Sequence, residues 1–250
     1  MKLLERPGAA SALLIVILLL LWQGLYGLAG KDALAPPGET IAYLAQHLTD
    51  PDFRQNIWAT GSAFLWAIAI AIAGGLAFGL VTGLSATATE TAEPLLLAAN
   101  SIPKIALYPV VLLLFGIGMP AKVAFGAIHG VIPVAVFTMN ACRTIPPVLV
   151  KTAEVMRLTR ADRIRSILLP AALPDIVTGI RLGFSLTLIG TILGEMFGSQ
   201  SGLGYLLMTA IGLQNTQMIM AVTLLLIVFA AGISTALLAW EQRLRKVRAR

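Results

Sequence analysis

The stretch QNIWATGSAFLWAIAIAIAGGLAFGLVTGLSATAT, residues 55–89, carries no charged side chain. A helix that crosses a bilayer needs about 20 mostly apolar residues, so this run alone predicts a span over about Ile57–Leu84. Working outward, the pattern recurs. Nothing between Arg6 and Lys31 is charged, which predicts a helix over Ala9–Ala29. Its basic flank resembles a signal peptide, but the apolar run is too long and no cleavage site follows, so the helix is expected to be retained. Leu95–Ile117 reads as a third span interrupted by Pro103 and Lys104, Val123–Asn140 as a fourth, Leu173–Phe197 as a fifth and Thr216–Trp240 as a sixth. Leu203–Leu213 is apolar but short and glycine-flanked, and reads as an interfacial or re-entrant helix.

Composition agrees with an all-α, polytopic membrane protein of about six spans. Of the 250 residues, 58% are hydrophobic and 12% charged, with a mean hydropathy of +0.87. Soluble domains have about 25% charged residues; the deficit suits a lipid-facing surface, where charge is costly. One cysteine, Cys142, excludes an intrachain disulfide and a cysteine metal cluster, and no other metal site is predicted.

The net charge of +6 is explained by topology. With both termini inside, the inner segments hold Lys2, Arg6, Arg143, Lys151, Arg157, Arg160, Arg163, Arg165 and the five basic residues of 243–250. The outer segments hold Lys31, Arg54 and Lys122, so the inner side leads by thirteen to three. Cytoplasmic loops carry such an excess, and a nucleic-acid partner is set aside. Lys104 and Arg181 are left near membrane depth. Either Lys104 snorkels to the inner interface, or the third span breaks at Pro103. The loop 85–93, expected inside, holds Glu90 and Glu93 and no basic residue.

Glycines recur four apart at Gly75, Gly79 and Gly83, at Gly126 and Gly130, at Gly179 and Gly183, and at Gly190, Gly194 and Gly198. Small residues let membrane helices approach closely, so a tight bundle, or a dimer face, is expected. His129 sits mid-helix without an acidic partner and reads as packing or passive lining, not a proton relay. Asp175 is expected in the first turn of helix five, where it suits the helix dipole. No Walker loop, zinc-protease motif or nucleophile elbow occurs, so the chain is expected to catalyse nothing.

The largest polar interruption runs from Ala141 to Leu173. Pro146 and Pro147 can open a helix in which Val148, Thr152 and Val155/Met156 share a semi-apolar face and Glu154 pairs with Arg157. A second short helix over Ala161–Leu168 would put Ile164, Ile167 and Leu168 opposite Arg160 and Arg163. Leu169-Pro170 would stop it, and Pro174 would open helix five. Two readings stand side by side: a rigid knob for a groove on another protein, and a loop whose charge serves topology alone.

Lys151-Thr152-Ala153-x-x-x-Arg157-Leu-Thr159, followed by Ile167-Leu-Leu-Pro170-Ala-Ala-Leu-Pro174-Asp-Ile-Val-Thr-Gly179-Ile-Arg181-Leu-Gly183, resembles the coupling loop of binding-protein-dependent ABC importer permeases of the nitrate/sulfonate/taurine type. Ser101-Ile-Pro103-Lys104 with Phe115-Gly-Ile-Gly118, and Glu195-Met with Ser201-Gly202-Leu-Gly204, resemble other segments of that family. The family has glycine where this chain has Arg157; if that glycine permits the turn between the two helices, Arg157 must adopt another geometry or the turn has shifted.

The resemblance implies a type I permease with an N-terminal helix and external loop (1–56), a core (57–250) and a coupling loop (141–172). It implies a homodimer in the bacterial inner membrane, served by two ATP-binding cassette subunits and an extracytoplasmic solute-binding protein. ATP and magnesium would bind the ATPase and not this chain. Lys151, Thr152, Ala153, Arg157, Arg160, Arg163, Ile164, Arg165, Ile167 and Pro170 would couple to it. Pro174, Gly179 and Arg181 would link the loop to helix five, and Glu195, Gly202 and Gly204 would form an outer gate. The solute would be a small anion such as a sulfonate or nitrate, or a small heterocycle. The alternatives are a self-contained secondary transporter or channel, and a membrane anchor.

Overall fold

The computed structural model describes residues 7–31 and 33–248. Lys2, Arg6 and Arg250, and the Arg160 and Arg248 side chains, lie outside the described residues. The elements are helices: α1 (Pro7–Ala29), α2 (Pro37–His47), α3 (Pro51–Gly83), α4 (Ala86–Ser101), a 3-10 turn (Lys104–Leu107), α5 (Tyr108–Phe115), α6 (Met119–Arg143), α7 (Pro147–Val155), α8 (Arg160–Arg163), a π turn (Ile164–Leu168), α9 (Leu169–Gly198), α10 (Leu203–Gly212) and α11 (Thr216–Arg248). Among the described residues five stretches are long and apolar enough to cross a membrane, and the bent pair 86–101 and 104–115, counted as one span, makes six.

Starts follow local chemistry. Asp50 caps α3 by accepting from the Asp52 amide at 3.0 Å, with Pro51 in the first turn, where its missing N–H costs nothing. Ser85 caps α4.

Of the two alternatives left open for the third span, the break at Pro103 is the one seen: α4 and the 104–115 segment meet at 85°. Pro103 offers no N–H and disfavours a helical Ile102, which is extended (ψ 129°). The start of the fifth span is corrected: the short helix before it does not stop at Leu169-Pro170, and Pro174 does not open a new helix. The helical path runs through both, with Pro174 buried inside α9. Pro170 cannot donate to the carbonyl four residues back and would crowd it; the π turn at Ile164–Leu168 widens the helix just before it.

At the centre, α6 lies between α3 and α9, held close by glycine. A Cβ added at Gly79 would stand 2.6 Å from the Ala135 carbonyl, one at Gly75 2.5 Å from Val134 Cβ, and one at Gly83 2.9 Å from Cys142 Cβ. Across the other seam, Gly179 faces Phe137, Gly183 faces the Gly130 carbonyl, Gly190 faces His129, and Gly194 faces Lys122. These glycines pack helices of one protomer, so the expected dimer face is not built from them. Phe64, Phe184 and Phe229 fill the space toward α11, with ring centroids 5.2–6.2 Å apart. By contrast none of Ala12–Ala29 in α1 is buried, and Trp22 Nε1 donates to the Ala35 carbonyl at 3.0 Å.

Gly79→Ala is expected to destabilise the protein by about 1–3 kcal/mol through overpacking against backbone. Gly232→Ala in α11, where nothing lies within 4 Å, should be neutral or stabilise by up to about 1 kcal/mol. Thermal unfolding of the two variants in detergent compares them directly.

Candidate functional site

The polar 141–172 segment forms a knob at one end of the bundle. Pro147 occupies the first turn of α7, and the helix ends in a fully bonded turn. The Arg157 amide donates to the Glu154 carbonyl at 3.0 Å, and the Leu158 amide to the Ala153 carbonyl at 3.2 Å. This pattern needs a left-handed residue at Arg157, and its φ is +47°. Arginine therefore takes the backbone geometry glycine would take; the turn has not shifted. Thr159 then caps α8, accepting from the Asp162 amide at 3.2 Å and donating to Asp162 Oδ2 at 2.7 Å.

Glu154 pairs with Arg163 at 3.8 Å, not with Arg157 as expected, because the left-handed turn brings α8 back toward α7. Ala153 is buried. Lys151, Thr152, Arg157, Arg165 and Pro170 are exposed, and Ile167 is half-buried. The knob carries exposed apolar side chains: Val155 at 83%, Val148 at 65% and Met156 at 62% on or just after α7, and Ile164 at 53% at the start of the π turn. The first three belong to the semi-apolar face the sequence suggested, yet basic residues look the stronger docking candidates until burial is known.

Beside the knob, charge ties α9 to α11. Arg181 Nε meets Glu241 Oε2 at 3.1 Å, Arg245 Nε meets Glu241 Oε1 at 3.1 Å, and Arg245 Nη2 meets Asp175 Oδ1 at 3.1 Å. Arg245 also donates to Thr178 Oγ1 at 3.1 Å. Asp175 thus lies inside α9 and pairs with α11, where a helix-dipole role was expected. At the same end Arg143 pairs with Glu93 of α4 at 2.9 Å.

The opposite end holds a buried clasp. Glu195, 0% exposed, takes Lys122 Nζ on Oε1 at 3.1 Å. Its Oε2 accepts from Thr60 Oγ1 at 2.7 Å and from the Gly204 amide at 3.0 Å. Thr60 in turn accepts the Leu203 amide at 2.7 Å, Asn56 the Gly202 amide at 2.6 Å, and the Ser201 carbonyl the Lys122 ammonium at 3.2 Å. The clasp thereby satisfies first-turn amides of α10, which otherwise lack partners. Gly202 has φ +115°, and a side chain there would strike the Glu195 carboxylate; one at Gly204 would meet the Ile192 carbonyl at 2.5 Å. Sequence reasoning singles out Glu195, Gly202 and Gly204 but misses Lys122, Thr60 and Asn56. Lys122 looks like a loop charge because it opens α6, 73 residues from its partner.

Residues 75–246 match the family described as binding-protein-dependent transport system inner membrane component. The chain belongs to this family. As a member it is a transport permease subunit of an ABC importer, a multi-pass protein of the inner membrane that works with ATPase and substrate-binding partners. It is 30% identical over 246 residues to the riboflavin transport system permease protein RibX of Chloroflexus aurantiacus, covering 95% of this chain and 92% of that one. It is 28% identical over 224 residues to the putative aliphatic sulfonates transport permease protein SsuC of Bacillus subtilis, covering 87% and 80%. In fold it is similar to a chain of the MetNI methionine ABC transporter in an inward-facing conformation, with TM-score 0.65, 21% identity, and coverage of 76% of this chain and 94% of that one.

Lys122→Met leaves a buried carboxylate without its counter-charge and is expected to cost about 3–5 kcal/mol. Adding Glu195→Gln, which keeps an acceptor for Thr60 and Gly204, should recover most of it in a double-mutant cycle of unfolding midpoints. Arg157→Gly should stabilise α7 by about 1 kcal/mol, the left-handed penalty of an L-residue, and slow hydrogen exchange at the Leu158 amide.

Proposed function

We propose that two copies of this chain form the solute pathway and that the 141–172 knob of each seats in an ATPase subunit, with ATP and magnesium bound there. The observation carrying this reading is the knob's construction. A segment with exposed Val148, Val155, Met156 and Ile164 is braced by Glu154–Arg163 and runs through the π turn into α9 without a break. Exposed apolar side chains on a short rigid helix suit a groove of another protein. Lys151, Arg157, Arg163 and Arg165 belong to the same segment, and with Arg160 they would meet acidic groups of the ATPase.

Both termini would then share the knob's side of the membrane. The thirteen-to-three excess of basic residues supports this orientation. ATP-driven closure of the ATPase pair would move the two knobs together, and α9 would carry the movement to the Glu195 clasp at the outer side, an outer-gate role for Glu195, Gly202 and Gly204. Solute would arrive from an extracytoplasmic binding protein and be a small anion or a small heterocycle. RibX, named for riboflavin, and SsuC, named for sulfonates, bracket that range.

Lys122 and Glu195 do not favour a proton-coupled transporter. Paired ionisable groups that relay protons lie near the midplane, whereas Lys122 is in the first turn of α6, and both Glu195 oxygens are engaged within the protomer.

Val155→Asp/Met156→Asp is expected to abolish ATP-driven uptake in vesicles and to reduce co-purification of the ATPase at least tenfold, while the chain still inserts. Undiminished co-purification and uptake would sink the knob's assignment. Uptake that follows a proton or sodium gradient without ATP would sink the importer mechanism.

A further inference from the structure

The break between α4 and the 104–115 segment lies deep in the membrane. Tyr108 packs on Phe125 with ring centroids 4.8 Å apart, and Phe125 on His129 at 4.5 Å. Lys104 is one turn before Tyr108 on the knob side, which sets it at the level of His129. At 1.5 Å per residue His129 lies about 15 Å from the start of α6 and about 21 Å from its end. In a hydrocarbon layer about 30 Å thick that is near the midplane.

Two observations about this break point the same way. Ile102 and Pro103 are extended, non-helical and exposed on the protomer, Ile102 at 46%. Irregular backbone at membrane depth does not face lipid; it is covered by protein or lines a watery cavity. Then there is Lys104. Its ammonium contacts the Asn100 carbonyl and the Asn100 side-chain oxygen, each at 3.3 Å. The ion pairs of the described residues use Lys122, Arg143, Arg163, Arg181 and Arg245 against Glu195, Glu93, Glu154, Glu241 and Asp175. Lys104 takes part in none of them. A half-buried cation at mid-membrane, hydrogen-bonded only to neutral oxygens, is costly unless it faces a solvated path.

We propose that the 100–104 bend lines the solute passage, and that Lys104, steadied by Asn100, is a transient contact for a small oxyanion in transit. Three of the ammonium's features suit that task. It keeps free donor capacity, since three N–H groups meet two acceptors of one residue. Among the described residues no carboxylate pairs with it, so a passing anion would have none of them to displace. Its neutral partners hold it in place without cancelling its charge. The contact is weak enough to release, as a passage requires. This inference rests on the pathway reading above and narrows the solute to the anionic half of the range.

The test uses the assembled importer with its ATPase and binding-protein partners, in a Cys142→Ser background that removes the single native cysteine. Ser101→Cys is labelled with two thiol reagents of similar size, the anionic sulfonatoethyl methanethiosulfonate and the cationic trimethylammonioethyl methanethiosulfonate. The anionic reagent is expected to react faster. Adding Lys104→Gln should lower the anionic-to-cationic rate ratio by roughly tenfold or more, the scale on which local charge steers encounter. Lys104→Arg should preserve the ratio.

An unreactive Ser101→Cys would overturn the proposal, because the bend would then be covered by protein. A ratio unmoved by Lys104→Gln would overturn it as well. Failure of the ATPase to co-purify with the Cys142→Ser parent would instead remove the importer reading on which the inference stands. A moved ratio in a complex with normal ATPase turnover supports it.

Discussion

The contact of α6 with α3 on one side and α9 on the other, made backbone to backbone at glycine, is what the rest of the protomer depends on. In lipid, apolar side chains gain little by leaving one hydrocarbon surface for another, so helices associate through close packing. Here the approach is so close that the Ala135 and Gly130 carbonyls stand where side chains would be. The three helices therefore form one block, and the remaining elements hang from it. Helix α11 is held by phenylalanines and by the Arg181–Glu241–Arg245–Asp175 network. Helix α10 is held by the Glu195 clasp, and α4 by Glu93–Arg143.

Charge is used sparingly and by depth. At the two ends of the block it joins helices. The end near the knob is partly wet, where ion pairs contribute little net stability and serve to fix geometry. The other end is dry. There Glu195 is tolerated because each of its oxygens has a partner, and the same contacts satisfy amides at the start of α10. Between the ends lie threonines, of which Thr191 bonds to the Thr187 carbonyl of its own helix at 2.9 Å while the buried Thr138 and Thr187 hydroxyls find no partner.

Much of this is readable from the chain alone, for a physical reason. A missing charge over 20 or more residues is a strong local signal, so the spans, the short α10 and the knob segment can all be placed from it. Pro103 and Lys104 mark the fault in the third span without showing its angle. Harder to read is anything set by distant pairing. Lys122 resembles a loop lysine until α9 returns beside it, and Asp175 resembles a dipole charge until α11 delivers Arg245. Proline misleads at Leu169-Pro170 and Pro174, since a π turn keeps the helix going and no residue type announces one. At Arg157 the family pattern expects glycine, and backbone hydrogen bonds hold arginine to the same shape.

The unbroken path from α8 to the end of α9 has a mechanical meaning. Arg163, which braces the knob, and Glu195, which holds α10, are separated by about 48 Å of one helix at 1.5 Å per residue. Gly179 and Gly183, two of the glycines at which α9 packs tightly on α6, fall near its middle. A crossing at which α9 itself carries no side chain, with Phe137 and Val134 of α6 seated on Gly179 and Gly183, could serve as a fulcrum. Tilting α9 by about ten degrees there would swing each end by about 4 Å, in opposite directions, on arms of that helical length. On the proposed coupling, the knob and the clasp would be the two ends of a lever, and a push on one would arrive at the other with its sense reversed.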